Sequence, residues 1–304
     1  MKKKHLLLFA VTASVALATA FISCNKSTSI EDTSATATQQ SVSLYMTDGA
    51  GAFSNVYLDI KSIEILVDTS TNTRAHDSCN WNNIGGSLGV RPNVKDLVWD
   101  TLNFTAGVYD LLKLRNGVDT LLSTTTIPKG AVRLLRIDLG TQNSIVVDSV
   151  SYPLNNVPSF ILVKLDGGEW QKFNGKHPNS YRLWLDFDVL HSILKIAKKY
   201  YLVPVIKPFI PSTTGAITGN VAPKLALPAT LTLINGSDTS MGMPNPDGVF
   251  LFRGLKDGTY SLLVHSLRKD TLGVAVNPYA DTIISNIKIQ SANTVNVGTI
   301  TLHN

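Results

Sequence analysis

The stretch Tyr181-Arg182-Leu183-Trp184-Leu185-Asp186-Phe187-Asp188-Val189 alternates without a break. Leu183, Leu185, Phe187 and Val189 fall on one face, and Arg182, Trp184, Asp186 and Asp188 on the other, which is the period of two expected of a half-buried β-strand. The same period recurs upstream. Across residues 55–67 the apolar positions are Val56, Leu58 and Ile60, then Ile63, Ile65 and Val67, so the parity changes between Ile60 and Ile63. A β-bulge at Lys61-Ser62 would restore a single buried face. Further strands are expected at 42–46, 98–104, 107–114, 118–122, 132–139, 144–150, 160–165 and 200–206, with residues 68–96 as a long loop. Asn116-Gly117 and Pro128-Lys129-Gly130 supply turns. One short helix is expected over 191–199, with Asp188 as its N-cap.

Pro208, Pro211 and Ser212-Thr213-Thr214-Gly215 interrupt the pattern and mark a domain boundary. Beyond it, strands are expected at 216–221, 230–234, 249–252, 259–265, 282–289 and 295–302, punctuated by Pro246-Asp247-Gly248 and Asp257-Gly258. Short, evenly spaced strands with glycine-rich turns indicate a β-sandwich. The fold class is therefore all-β: two sandwich-like domains, 41–210 and 215–304, the first carrying the one short helix.

The chain opens with Lys2, Lys3 and Lys4, followed by an uncharged run from Leu6 to Ile22, the layout of an export signal. Phe21-Ile22-Ser23-Cys24 sets a small residue before a cysteine and resembles a lipobox. The resemblance implies that residues 1–23 are a lipoprotein signal peptide and that the Cys24 thiol carries lipid; an ordinary signal cut at Ala18-Thr19-Ala20 is the alternative. Residues 24–40 are mostly Ser, Thr, Ala and Gln and cannot bury enough apolar surface to order themselves. They read as a tether with a reach of roughly 20 Å.

The formal charge of +5 includes the three leader lysines, so without the leader it falls by three to +2. With no basic cluster in the remainder, nucleic acid is excluded as a partner. Charged residues make up only 16%, a balance that suits extracytoplasmic β-structure. If Cys24 is lipidated, Cys79 has no partner and no internal disulfide forms.

Two resemblances follow from particular residues. Gly215-Ala216-Ile217-Thr218-Gly219-Asn220-Val221 and Asp247-Gly248-Val249-Phe250-Leu251-Phe252-Arg253-Gly254-Leu255, followed by Gly258-Thr259-Tyr260-Ser261-Leu262, resemble the carboxypeptidase-regulatory-like or prealbumin-like sandwiches. Val42-Ser43-Leu44-Tyr45-Met46-Thr47-Asp48, Gly107 to Gly117, Arg136-Ile137-Asp138-Leu139-Gly140, Leu185-Asp186-Phe187-Asp188 and Pro204-Val205-Ile206-Lys207 resemble, in order, the Bacteroidota lipoprotein family of unknown function numbered 4382. That likeness implies an architecture and an outer-membrane address, and no activity. Ile196-Ala197-Lys198-Lys199 departs from it, because a glycine-rich turn is expected there.

Asp186 and Asp188 would suit a cation, paired acid–base chemistry, or a structural ion pair with Arg182, Arg133 or Arg136. Gly85-Gly86-Ser87-Leu88-Gly89 fits the nucleophile elbow of serine hydrolases, but the required strand before Ser87 and helix after it are absent from the pattern. Trp81, Trp170 and Phe173 lie among Asn, Gln, Asp and Glu and would suit sugar stacking, or would fold back as lids on their sheets. No phosphate loop, dinucleotide fingerprint or metal-binding His spacing is present, so no cofactor or metal is expected. The leading functional reading is a non-catalytic envelope lipoprotein that joins the membrane through lipid on Cys24 and binds a glycan or another envelope protein. A carbohydrate-binding module comes second, and a hydrolase using Ser87 or the Asp186 and Asp188 pair third.

Overall fold

The computed structural model describes residues 38–48, 53–70, 95–165, 180–268 and 279–304, all of which belong to the unit Thr33–Asn304. Leu183, Leu185 and Phe187 are buried along β10 (Ser180–Phe187), so the alternation is realised as an amphipathic strand. β10 pairs in parallel with β1 (Gln39–Asp48), which pairs on its other side with β5 (Thr120–Pro128), while β13 (Ile206–Phe209) closes the sheet beyond β10.

Against this sheet packs a larger one, built on β2 (Asn55–Asp68). Its strand order, among the described residues, is β11 (Ile193–Ile196), β12 (Lys199–Leu202), β8 (Val150–Asn155), β7 (Ser144–Val147), β2, β6 (Ala131–Leu139) and β9 (Phe160–Lys164), with β3 (Leu97–Thr101) and β4 (Gly107–Asp110) also paired to β2. The facing side chains form one core, in which Leu44, Met46, Leu185 and Phe187 of the first sheet meet Leu58, Ile60, Ile63, Ile65 and Ile137 of the second. Each such burial stabilises the fold by about 1.5–3 kcal/mol before entropy is counted. The bulge lies where the parity predicts it, since the β2–β6 register slips between Ile60 and Ser62 and keeps both halves of β2 facing inward.

Four sequence expectations need correction. The strand expected over 107–114 stops at Asp110, whose carboxylate accepts from the Leu112 amide and caps a 3-10 turn, Leu111–Leu114. The strand expected over 144–150 is a hairpin, turned at Asp148 and Ser149 with φ of 49° and 65°. Asp188 caps a helix of only one turn, Val189–Ser192. The rest of the expected helix is the β11–β12 hairpin, because Ile193, Leu194, Ile196, Tyr200 and Tyr201 prefer a pleated surface. The strand expected over 200–206 divides at Val203-Pro204-Val205 into β12 and β13, which belong to different sheets.

A second core forms beyond residue 214, between two further sheets. One has the order β17 (Val249–Leu255), β14 (Gly215–Ala222), β20 (Thr294–Thr301); the other has β16 (Asp238–Gly242), β15 (Ala229–Asn235), β18 (Gly258–Ser266), β19 (Thr282–Ile289). β14 and β20 run parallel, from Ala216 beside Thr294 to Ala222 beside Thr301. Gly248 turns the chain into β17 at φ +92°, where a Cβ would lie 2.3 Å from the Val221 carbonyl oxygen. β16 is a strand the alternation does not reveal.

Candidate functional site: the cleft between the sandwiches

The outward face of β10 carries an aromatic layer. Trp184 stacks on Tyr45, its register partner on β1, with ring centroids 4.3 Å apart and planes 8° from parallel. Phe209 of β13 flanks Trp184 at 6.2 Å. Strand β17 of the second sandwich lies across this layer. Its Arg253 guanidinium sits 5.8 Å from the Phe209 ring centroid, donates from Nη1 to Asp119 Oδ2 at 3.0 Å and donates from Nη2 to Thr47 Oγ1 at 3.0 Å. Trp184 Nε1 donates to the same Asp119 oxygen at 2.6 Å. The next residue, Gly254, has φ +71°, and a Cβ there would lie 2.8 Å from the Phe209 ring. Glycine is what lets the strand close on the aromatic layer.

Lys207 makes a second bridge between the sandwiches. From β13 its Nζ donates to Asp188 Oδ2 at 3.2 Å and, on β16, to the Thr239 carbonyl at 3.2 Å and to Ser240 Oγ at 3.1 Å. Asp188 is buried and fully engaged. Its Oδ1 accepts from the His191 amide at 3.2 Å, and His191 Nδ1 lies 2.8 Å from Oδ2. Asp186, half-buried beside it, has a carboxyl whose pKa is pushed up to about 7: burial is the main cause and the charge on Asp188 adds to it, while Lys207 and Arg253 work against both.

Asp186 and Asp188 do come together, but not as two members of one strand face. β10 ends at Phe187, so Asp188 belongs to the helix cap. Their basic neighbours also differ from the expected arginines. Arg133 and Arg136 lie on β6 in the other sheet, bound to Asp68 and Asp138, each at 2.9 Å, and Arg182 is exposed on β10. Lys207 takes the role for Asp188, while Arg253 pairs with Asp119 and reaches Asp186 through its charge alone. Among the described residues no group of three His, Cys, Asp or Glu is placed to hold a metal. Cys24, Cys79, Trp81, Ser87, Trp170 and Phe173 lie outside the described residues.

Beside the bridges, and sharing Lys207, Phe209 and Ser240 with them, an open crevice of about 420 Å³ runs between the sandwiches. Its floor is apolar, with Leu165, Leu183, Ile206, Leu233 and Leu255. Its rim is polar, with Asn235, Asp238, Ser240 and Lys256. The sequence holds one signal for this junction: Arg253-Gly254 sets a charge and a glycine inside a strand whose other positions, Phe250, Phe252 and Leu255, are core. A glycine within a strand marks a close backbone approach.

Fold and cleft together define an all-β protein of two sandwiches latched by charges. Residues 39–204, just over half of the 304-residue chain, match the family described as Domain of unknown function (DUF4382). The chain belongs to that family. No curated protein matches the sequence. Among solved structures, it is similar to the Bacillus anthracis TIE protein at 10% identity over 88% of this chain, with a TM-score of 0.21; it spans only 35% of that protein. It is also similar to the streptococcal ancillary pilin, at 11% identity over 87% of this chain and 69% of that one, with a TM-score of 0.22. BcpA, the major pilin subunit of Bacillus cereus, matches at 12% over 87% and 70%, with a TM-score of 0.25.

Proposed function

We propose that this is a non-catalytic protein held at the cell envelope by lipid on Cys24, on the periplasmic or outer face of the outer membrane, and that it binds a partner in the cleft between its sandwiches. The crevice carries the reading. Ligand sites are typically concave and mostly apolar, with a few placed polar groups, and they favour junctions between domains; the 420 Å³ crevice has that character. A catalytic reading fares worse, because both Asp188 oxygens are committed to the helix cap and to Lys207. The lipobox-like Ile22-Ser23-Cys24 and the resemblance to a Bacteroidota lipoprotein family support the address. The carboxypeptidase-regulatory-like pattern of residues 215–304 supports a binding module.

One observation favours a glycan over a protein as the occupant. The apolar floor is rimmed by the hydrogen-bonding groups of Asn235, Asp238, Ser240 and Lys256, the combination that a sugar's apolar face and hydroxyls would use. The test is a glycan array followed by calorimetry on the full chain, comparing wild type with Asn235→Ala, Lys256→Ala and Trp170→Ala. A bound glycan whose affinity falls about tenfold in at least one folded variant is expected. No retained glycan, or affinity indifferent to all three changes, overturns the cleft as its site. Loss of lipid labelling in Cys24→Ala tests the anchor separately.

A further inference from the structure

The β11–β12 hairpin stands at the free edge of the larger sheet. On its outward face Leu194 and Ile196 are 45% and 56% exposed, and Val203, just past β12, is 45% exposed. Among the described residues nothing covers this face. The hairpin carries Lys195, Lys198 and Lys199, all exposed; Lys199 shares the face of Ile196 and Lys195 lies on the opposite face with Tyr200, and among the described residues none of the three forms an ion pair. Lys195 instead lies 5.5 Å from the Tyr200 ring centroid. From Val189 to Val203 the chain carries no acid, and neighbouring β8 carries no charge at all, so this one hairpin concentrates three positive charges. The tip adds an independent observation. Ala197 and Lys198 both adopt left-handed backbone, with φ of 47° and 66°, in a two-residue turn that Asn-Gly would make with less strain. The chain holds a cation at the tip against local preference, and such violations tend to mark function.

We infer that this hairpin docks on an anionic phospholipid surface, with Leu194 and Ile196 entering between headgroups and Lys198 and Lys199 at the tip meeting lipid phosphates. Apolar side chains flanked by lysines are what an interfacial anchor requires. The inference rests on the envelope reading above. A lipid chain on Cys24 would keep the body close, since 13 residues lie between Cys24 and the first described residue, Thr38, and a tether of the kind expected from the sequence reaches roughly 20 Å. A single acyl chain binds membranes only marginally, and a basic patch is the kind of second signal that makes the attachment stable.

The test is flotation of the full chain with vesicles of phosphatidylcholine alone or mixed with phosphatidylglycerol. Every variant shares the same leader, so differences between variants belong to the hairpin. Lys198→Ala/Lys199→Ala should need about 30-fold more phosphatidylglycerol vesicles for half-maximal binding, from about fivefold per lysine. Leu194→Asp/Ile196→Asp, at exposed positions and with unchanged circular dichroism, should lose binding to a similar degree. Flotation equal to wild type in both double variants overturns the inference. So does a wild-type chain that light scattering shows to be dimeric and that Leu194→Asp/Ile196→Asp makes monomeric, because the face then covers a second copy. Lipid labelling at Cys24 is read in the same variants: hairpin-dependent flotation without labelling removes the anchor alone, and labelling without hairpin-dependent flotation removes this inference alone.

Discussion

Replacing Arg253 with alanine cuts the stronger of the two bridges between the sandwiches, and its cost can be worked from the contacts. The side chain gives one charge-assisted hydrogen bond to Asp119, one neutral hydrogen bond to Thr47 and a cation–ring contact with Phe209. These are worth about 1.5, 0.5 and 0.5 kcal/mol at the low end of their ranges, and the low end applies because the Arg253 and Asp119 side chains are 22% and 28% exposed. Neither partner is orphaned. Asp119 keeps the Trp184 indole, and Thr47 keeps the Leu114 and Val118 carbonyls, so no desolvation penalty is added. The expected loss is therefore about 2–3 kcal/mol of coupling. Urea unfolding followed by two probes reads it, because all four tryptophans precede the second sandwich. Tryptophan fluorescence reports the first body and its junction at Trp184, and far-ultraviolet circular dichroism reports both bodies. Wild type should show coincident transitions and Arg253→Ala separated ones, with Lys256→Ala, on the crevice rim, as the control that stays coincident. Coincident transitions in Arg253→Ala, shifted by less than about 0.5 kcal/mol, would refute the latch.

Asp186→Asn should stabilise the fold by about 1–2 kcal/mol at pH 8 and much less at pH 4. The sign follows from the raised pKa: between about 4 and 7 the folded state binds more protons than the unfolded state, so wild-type stability falls as pH rises through that window, and the amide removes the fall. A thermal-melt series across pH checks it, and a flat difference between the two proteins counts against the burial argument. Arg133→Ala leaves the Asp68 carboxylate at 0% exposure without its guanidinium and should cost about 3–5 kcal/mol in chemical denaturation. Lys198→Gly relieves left-handed backbone at the hairpin tip and should add about 1 kcal/mol, seen as a rise of a few degrees in Tm. A lower Tm would mean that the tip is not strained.

Periodicity made the sheets legible but not their partners. The alternation along β10 and the parity change at Lys61 were readable because each is enforced within a few residues by one buried face. β16 was hidden, since Asp238-Thr239-Ser240-Met241-Gly242 has no apolar alternation of its own and is a strand because β15 offers it an edge. The helix expected over 191–199 failed because no glycine announces the turn at Ala197 and Lys198. In the cleft, Asp186 and Asp188 were visible as neighbouring acids, whereas the charges that latch the sandwiches come from afar: Arg253 is 134 residues from Asp119, the aspartate it binds. Charge at that separation leaves no local pattern, and only the glycine after Arg253 hinted that a backbone would press close.

The parallel pairing of β14 with β20 bears on how the second sandwich carries load. A pull that enters at Gly215 and leaves at Thr301 acts at opposite ends of two neighbouring strands running the same way, so it slides one along the other. The cross-strand hydrogen bonds between Ala216 and Ala222 on one side and Thr294 and Thr301 on the other then bear the force together, rather than parting one after another as in a zipper. Tension applied along that line would meet a shear clamp at the first strand it reached.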